Sequence, residues 1–353
     1  MSLPKLKIQL TNQSRLSHFD FNNIPFGKNF SDHMLVAEYA DGQWISNEIR
    51  PYGNLELSPA TTSLHYAQSV FEGMKVRRNH QGEIVLFRPE ENFKRINRSA
   101  KRISMPAIPR EIFMDGLLEL IKIDKGWIPE ADGTSLYIRP FMFGTEPFIG
   151  VKTPNRYYFI IIMSPVGSYY SEDVSMYVDQ VNARSVKGVG AVKFSGNYGA
   201  SLAPVDEARS KGYKDVLWLD CEKHEIVEEV GTMNIFFVKK DKTILTPVLD
   251  GGFLPGITRD SIITLAKHLG YQVEEQSLNI HHVIDLIAKG EITEMFGSGT
   301  AAVVTLINRI GFDGKDYKFD TSKYTVCLNL KDHLMKIQKG TEKDPFGWLV
   351  YVK

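Results

Sequence analysis

Cysteine is almost missing from this chain of 353 residues: only Cys221 and Cys327 occur, far apart. That excludes a disulfide framework, and no CxxC pair or zinc-ligand spacing is present. A reducing compartment is expected, which places the chain in the cytoplasm. Charge of one sign is also missing, since 42 Lys and Arg balance 42 Asp and Glu. Nothing draws the chain towards nucleic acid or an anionic membrane, and neither is expected as a partner. Long apolar runs are absent as well. The longest, YYFIIIM at 157–163, falls far short of the roughly 20 residues that span a bilayer and reads as a buried strand. The opening MSLPKLKIQLTNQSRLSHFD lacks the apolar segment of a secretory signal. There is no GxxxxGK[ST] phosphate loop. GVGAVK (188–193) puts Lys193 where GxGxxG requires Gly or Ala. His281 and His282 stand in no metal-ligand spacing, so no metal is expected.

What remains is an ordinary globular composition, 43% hydrophobic, in a chain long enough for two domains. HMLVAEYADGQW (33–44) reads as a strand entering a hairpin at Asp41-Gly42. In EIVLFRPEENFKRINRSAKRI a strand leads into a helix with Phe93, Ile96, Ala100 and Ile103 on one face. Arg95, Arg98 and Arg102 fall on another stripe. Residues 110–123 repeat the helical pattern. SLYIRPF (135–141) alternates, which puts Tyr137 and Arg139 on one side, and Pro140 predicts an edge strand or a strand end. SPVGSYYSEDVS (164–175) reads as a linker. It divides the chain into an N-terminal domain 1–167, a connection 168–175 and a C-terminal domain 176–353. Three short strands, DVLWLD, EIVEEV and NIFFVKK, follow. GGFLPGITRDSIITLAKHLG then forms a glycine-rich loop and a helix stopped by Gly270, and FGSGTAAVV a glycine turn entering a strand. The fold class is α/β, of mixed α+β character.

The chemistry is read from AVKFSGNYGA (191–200), where one lysine stands among small residues. A lysine freed of bulky neighbours suits a Schiff base with a carbonyl cofactor, because the imine avoids a standing bare amine. Pyridoxal phosphate needs three more things: a carboxylate for the ring nitrogen, a donor for O3′ and a phosphate cradle. Glu229, just before a Gly-Thr turn, is a candidate for the first. Glu228, on the opposite face by alternation, fits an ordinary edge glutamate. Tyr198 is a candidate for the second. Gly256-Ile257-Thr258 before a helix, the GSGT turn with Thr300, and Arg95 are candidates for the third. Each has a plainer reading: an edge strand, a packing tyrosine, loop punctuation or a solvated helix face. Together they form a complete set.

Eight stretches carry a resemblance: FGKNFSDHML, LHYAQSVFEGMK, LFRPEENFKRINRSA, SLYIRPFMFG, VKFSGNYG, EEVGTMNIF, LPGITRDS and FGSGTA, in order from residue 26 to 301. In these the chain resembles the branched-chain amino acid aminotransferases of the fold-type-IV pyridoxal phosphate enzymes. The resemblance implies the two-domain D-amino-acid-aminotransferase-like fold, with a smaller N-terminal and a larger C-terminal domain. It implies ping-pong amino transfer from L-leucine, L-isoleucine or L-valine to 2-oxoglutarate. Lys193 would be the catalytic residue and carry the Schiff base; Tyr198 would meet O3′ and Glu229 the ring nitrogen. Arg95, Ile257, Thr258 and Thr300 would hold the phosphate. Phe30, Tyr66, Phe71, Tyr137, Arg139, Tyr169, Thr232, Met233 and Ala301 would contact substrate, with Arg139 facing a distal carboxylate. Amino acids and 2-oxo acids would be the small-molecule partners. A homodimer or larger assembly is implied, with the loop at 148–151 reaching the neighbouring site. Some members carry a CxxC redox pair after GSGTA; here those positions are Ala302 and Thr305, so no thiol switch is expected. D-amino acid transamination, a related lyase reaction and a non-catalytic cofactor carrier are the competing readings.

Overall fold

The computed structural model describes residues 3–167, 173–301 and 303–353. The chain divides into two compact units. The first is Met1–Tyr169 with Lys193–Gly196 and Gln338–Lys353; the second is Tyr170–Val192 with Asn197–Ile337. The expected connection therefore lies largely outside the described residues, and its end already belongs to the strand Val174–Val178. The C-terminal segment leaves the domain that chain order assigned to it. Its strand Leu349–Val352 pairs antiparallel with Ile84–Phe87 in the first unit. With that segment and Lys193–Gly196, the first unit becomes the larger one.

The first unit is built on a nine-stranded sheet. At its centre Ser135–Gly144 and Arg156–Val166 pair antiparallel over ten residues. His33–Ala40 joins the other side of Arg156–Val166 and turns back as Gln43–Pro51. The turn is Asp41-Gly42, at φ 47° and 91°, the paired positive angles that a two-residue hairpin needs. One sheet face is packed by the helices Pro89–Arg102 and Gly116–Ile123. Ile96, Ala100, Leu117, Leu120 and Ile121 meet Leu35, Ile138, Phe159 and Ile161 in the core.

Pro140 does not mark an edge. Its strand is central, and the proline sits where the neighbouring chain breaks step. Ser69–Phe71 pairs up to Phe71↔Phe141, and Met74–Arg78 resumes at Met74↔Ile138. Between them Glu72 and Gly73 leave the ladder, and the Glu72 N–H donates to the Pro140 carbonyl at 2.7 Å. A missing N–H is tolerated where the partner strand is interrupted.

The second unit is also built on nine strands, six of them closed into a ring. The ring runs Val227–Val230, Asp215–Leu219, Val174–Val178, Val303–Phe312, Ile292–Gly299, Met233–Lys239 and back to Val227–Val230. Closure removes sheet edges. Val174, Leu217, Val230, Ile235, Met295 and Ile307 fill the core. The helix Ile257–His268 follows the glycine-rich loop, and Gly270 at φ 85° ends it. FGSG completes the strand Ile292–Gly299 rather than forming the turn. Its glycines leave room for Met233, whose side chain lies 2.8 Å from where a β-carbon on Gly297 would sit.

Candidate active site

In the first unit the site is assembled by three consecutive residues, Phe71-Glu72-Gly73, at the break in the sheet. The Phe71 N–H donates to the Lys193 carbonyl at 3.2 Å, and Val70 forms an isolated bridge with Phe194. The Lys193 N–H donates to Ser99 Oγ at 2.9 Å. These contacts tie the backbone of Lys193 to the first unit, although the chain on either side belongs to the second. Lys193 Nζ lies 4.7 Å from the centre of the Phe71 ring, and the Arg139 guanidinium lies 4.7 Å from the same ring. Two cations share one aromatic side chain. Arg139 Nη2 donates to the Tyr137 hydroxyl at 3.0 Å, while Arg139 Nε is buried with no hydrogen-bond partner among the described residues. Alternation along Ser135–Gly144 thus sets Tyr137 and Arg139 together, as expected. Gly73 makes this possible: a β-carbon there would fall 2.1 Å from the Tyr137 hydroxyl.

Glu72 is completely buried and pairs with Arg95, itself 3% exposed. Arg95 Nε donates to Oε1 at 2.7 Å and Nη2 to Oε2 at 2.8 Å. Asn92 Nδ2 adds a bond to Oε2 at 2.7 Å. Burial alone would raise this carboxyl; the Arg95 guanidinium overcomes that and holds it below the ordinary value, with help from Lys193 and Asn92. Of the three helix arginines, Arg98 and Arg102 are exposed as a solvated stripe would be, but Arg95 is not. It belongs with Asn92 and Ser99, at i, i+3 and i+7, on a buried polar stripe. Of the other expected contacts, Phe30 stacks on Tyr52 at 4.8 Å. Tyr66 ends the short helix Thr62–Tyr66 and is 38% exposed.

In the second unit Glu229 is 3% exposed and forms a buried ion pair with Arg184. The Arg184 guanidinium lies 5.1 Å from the Tyr198 ring centre, so Tyr198, Arg184 and Glu229 form one group. Glu228 is no edge glutamate; it is 2% exposed. The ladder between Asp215–Leu219 and Val227–Val230 is irregular at Trp218/Leu219, and such a bulge re-aims side chains. Glu228 Oε1 has no hydrogen-bond partner among the described residues and lies 1.9 Å from where a β-carbon on Gly252 would sit. Burial first, then Glu229, Asp250 and Asp220, push its carboxyl up to about 8. Nearby, Asn234 Nδ2 donates to the Leu254 carbonyl and steadies the loop before the helix Ile257–His268. No side chain caps that helix at Gly256, and Thr258 in its first turn is buried. Thr300 and Ala301 form the turn after Ile292–Gly299, Met233 packs against that strand, and Thr232 stands exposed beside it. Tyr169 lies outside the described residues.

Residue-type reasoning missed Glu72, Asn92, Ser99 and Arg184. The helix residues were discoverable from their i, i+3, i+7 spacing; Arg184, in a loop, offered no periodic signal.

The family model Amino-transferase class IV matches residues 69–310. The chain is 46% identical to a probable branched-chain-amino-acid aminotransferase of Staphylococcus epidermidis, covering 94% of each chain. It is 44% identical to branched-chain-amino-acid transaminase 1 of Bacillus subtilis, covering 94% of this chain and 95% of that one. Among solved structures, it resembles a thermophilic archaeal branched-chain aminotransferase, that of Thermoproteus uzoniensis with norvaline. There the TM-score is 0.74 at 27% identity, over 90% of this chain and 100% of that one. Another solved branched-chain amino acid aminotransferase, complexed with N-(5′-phosphopyridoxyl)-L-glutamate, gives a TM-score of 0.70 at 27% identity, over 90% of this chain and 98% of that one. Each unit by itself holds groups of the chemistry that a phosphorylated pyridine aldehyde needs: the first a buried guanidinium and an amine on an aromatic face, the second a helix start at Gly256 and a buried carboxylate. The chain belongs to the class IV aminotransferases, and within them to the branched-chain-amino-acid aminotransferases, enzymes that work with pyridoxal phosphate.

Proposed function

We propose that the enzyme transfers the amino group of L-leucine, L-isoleucine or L-valine reversibly to 2-oxoglutarate, releasing the branched 2-oxo acid and L-glutamate in a ping-pong cycle, with Lys193 as the Schiff-base residue. The observation that carries this reading is the shared ring of Phe71, with the Lys193 amine and the Arg139 guanidinium each 4.7 Å from its centre. An amine for covalent attachment and a carboxylate receptor stand on one side chain. Bound pyridoxal phosphate supplies an aldehyde that condenses with amines and a ring that takes up electrons as the α-hydrogen leaves.

The chain's own groups do the rest. Lys193 Nζ takes the proton from the substrate α-carbon. Glu229, fixed by Arg184, holds a positive charge at the ring nitrogen, and Tyr198 donates to O3′. Arg95, the first-turn N–H groups of Ile257 and Thr258, and Thr300 hold the phosphate. Phe30, Tyr66, Phe71 and Met233 give apolar walls suited to a branched side chain. Thr232 and the N–H groups of Thr300 and Ala301 receive the α-carboxylate. Arg139, set by Tyr137, takes the distal carboxylate of glutamate. One methylene separates isoleucine from valine, so discrimination between them is expected to be mild, about 1–3 kcal/mol. Phe148, Ile149 and Val151 are 42%, 70% and 89% exposed, which supports a homodimer formed through that loop.

Borohydride reduction of the active enzyme, followed by peptide mass spectrometry, tests the assignment. The adduct is expected on the peptide holding Lys193, and Lys193→Ala is expected to keep its far-ultraviolet circular dichroism while losing turnover. An adduct elsewhere overturns the reading.

A further inference from the structure

We propose that Glu72 is a positioning residue for cofactor binding: it fixes the Arg95 fork in the orientation that receives a phosphate, while its own segment, Phe71-Glu72-Gly73, fixes Lys193 and Tyr137. The inference rests on the reading that Arg95 holds the phosphate and goes beyond it by naming what holds Arg95.

The geometry is that of a built site. Four donors converge on one fully buried carboxylate: Arg95 Nε, Arg95 Nη2, Asn92 Nδ2 and the Gly73 N–H at 3.2 Å. Asn92 also donates to the Gly73 carbonyl at 3.2 Å, so the helix Pro89–Arg102 grips both the carboxylate and the next peptide. Glu72 takes the Nε–Nη2 edge of the guanidinium, two of its five N–H groups, and so sets the plane of the fork. A fork held at one edge loses its rotamer freedom before ligand arrives, which lowers the entropic cost of binding.

A competing electrostatic effect points the other way. Glu72 is an anion, and it cancels much of the Arg95 charge that a phosphate would feel. If the pair mattered only through charge, removing the carboxylate would tighten phosphate binding. If Glu72 positions Arg95, removal loosens it, because an amide at 72 turns an N–H group towards a guanidinium that has only N–H groups to offer. The buried, bidentate, four-donor geometry favours positioning.

The test compares the affinities of the purified protein for pyridoxal phosphate and for pyridoxal, which lacks the phosphate, in the wild type and in Glu72→Gln, Glu72→Asp and Arg95→Gln. We expect Glu72→Gln to weaken pyridoxal phosphate binding about 10- to 100-fold, the scale of a charged hydrogen bond lost. Pyridoxal binding should change less than about 3-fold. Glu72→Asp keeps the charge but shortens the reach, and it guards against a Gln variant that does not fold; it is expected to weaken pyridoxal phosphate selectively too. In the double variant Glu72→Gln/Arg95→Gln the loss should not exceed that of Arg95→Gln alone. Unchanged or tighter pyridoxal phosphate binding in both Glu72 variants, or equal losses for the two ligands, overturns the proposal. If Arg95→Gln itself binds pyridoxal phosphate normally, the phosphate reading of Arg95 fails instead, and the proposal with it.

Discussion

Glu228→Gln isolates a buried carboxyl whose protonation the fold has displaced. In the folded chain burial, with Glu229, Asp250 and Asp220, pushes this group from 4.5 up to about 8, and Arg184 opposes the rise. An unfolded chain releases the proton near the ordinary value. Between those two values the folded state therefore binds a proton that the unfolded state has lost. Stability from this group is complete below pH 4.5 and is lost as pH climbs through about 8. At about 1.4 kcal/mol per pH unit, the window sets an upper bound near ~5 kcal/mol. Water penetration and relaxation around a buried charge reduce that, and we expect about 2–3 kcal/mol. Glutamine has nearly the same shape and does not titrate. The assay is urea unfolding of cofactor-free wild type and Glu228→Gln at a series of pH values from about 5 to 9. The variant should gain on the wild type steadily as pH rises. Every other titratable group is common to both proteins and cancels in the difference. A difference that stays flat across the range would refute the reasoning, because it would mean that Glu228 titrates as an ordinary carboxyl.

Two further outcomes follow from named contacts. Arg139→Ala removes the guanidinium bonded to Tyr137, and steady-state kinetics should show kcat/KM for glutamate falling about 10- to 100-fold, with leucine much less affected; equal losses would mean Arg139 does not read the distal carboxylate. Gly190→Ala would put a β-carbon 1.7 Å from the Gly252 carbonyl oxygen and 2.5 Å from Ser185 Oγ; displacing that backbone should cost about 1–3 kcal/mol, seen as a lowered urea midpoint, and an unshifted midpoint would mean that the two loops part freely.

Local pattern is enough wherever a residue's partners lie close in sequence. The Asp41-Gly42 hairpin, the shared face of Tyr137 and Arg139 and the stop at Gly270 all depend on backbone geometry within a few residues. Pattern fails where a partner comes from far away. Arg95 reads as one of three solvated arginines because nothing within a helical turn reveals Glu72, which is 23 residues distant. Pro140 reads as an edge because the break in the facing strand lies at 72–73. Glu228 reads as outward because alternation assumes a regular ladder, and the irregularity opposite it belongs to Trp218/Leu219. Each failure puts a polar or backbone-breaking residue at the surface when the fold has buried it. Buried charge is costly unless it is paired, and two pairs stand out here, Glu72 with Arg95 and Glu229 with Arg184. Both include a residue that we propose for the cofactor, Arg95 for its phosphate and Glu229 for its ring nitrogen. That coincidence gives the ion pairs a reason beyond stability, since a well-packed apolar pair would stabilise the fold at least as well.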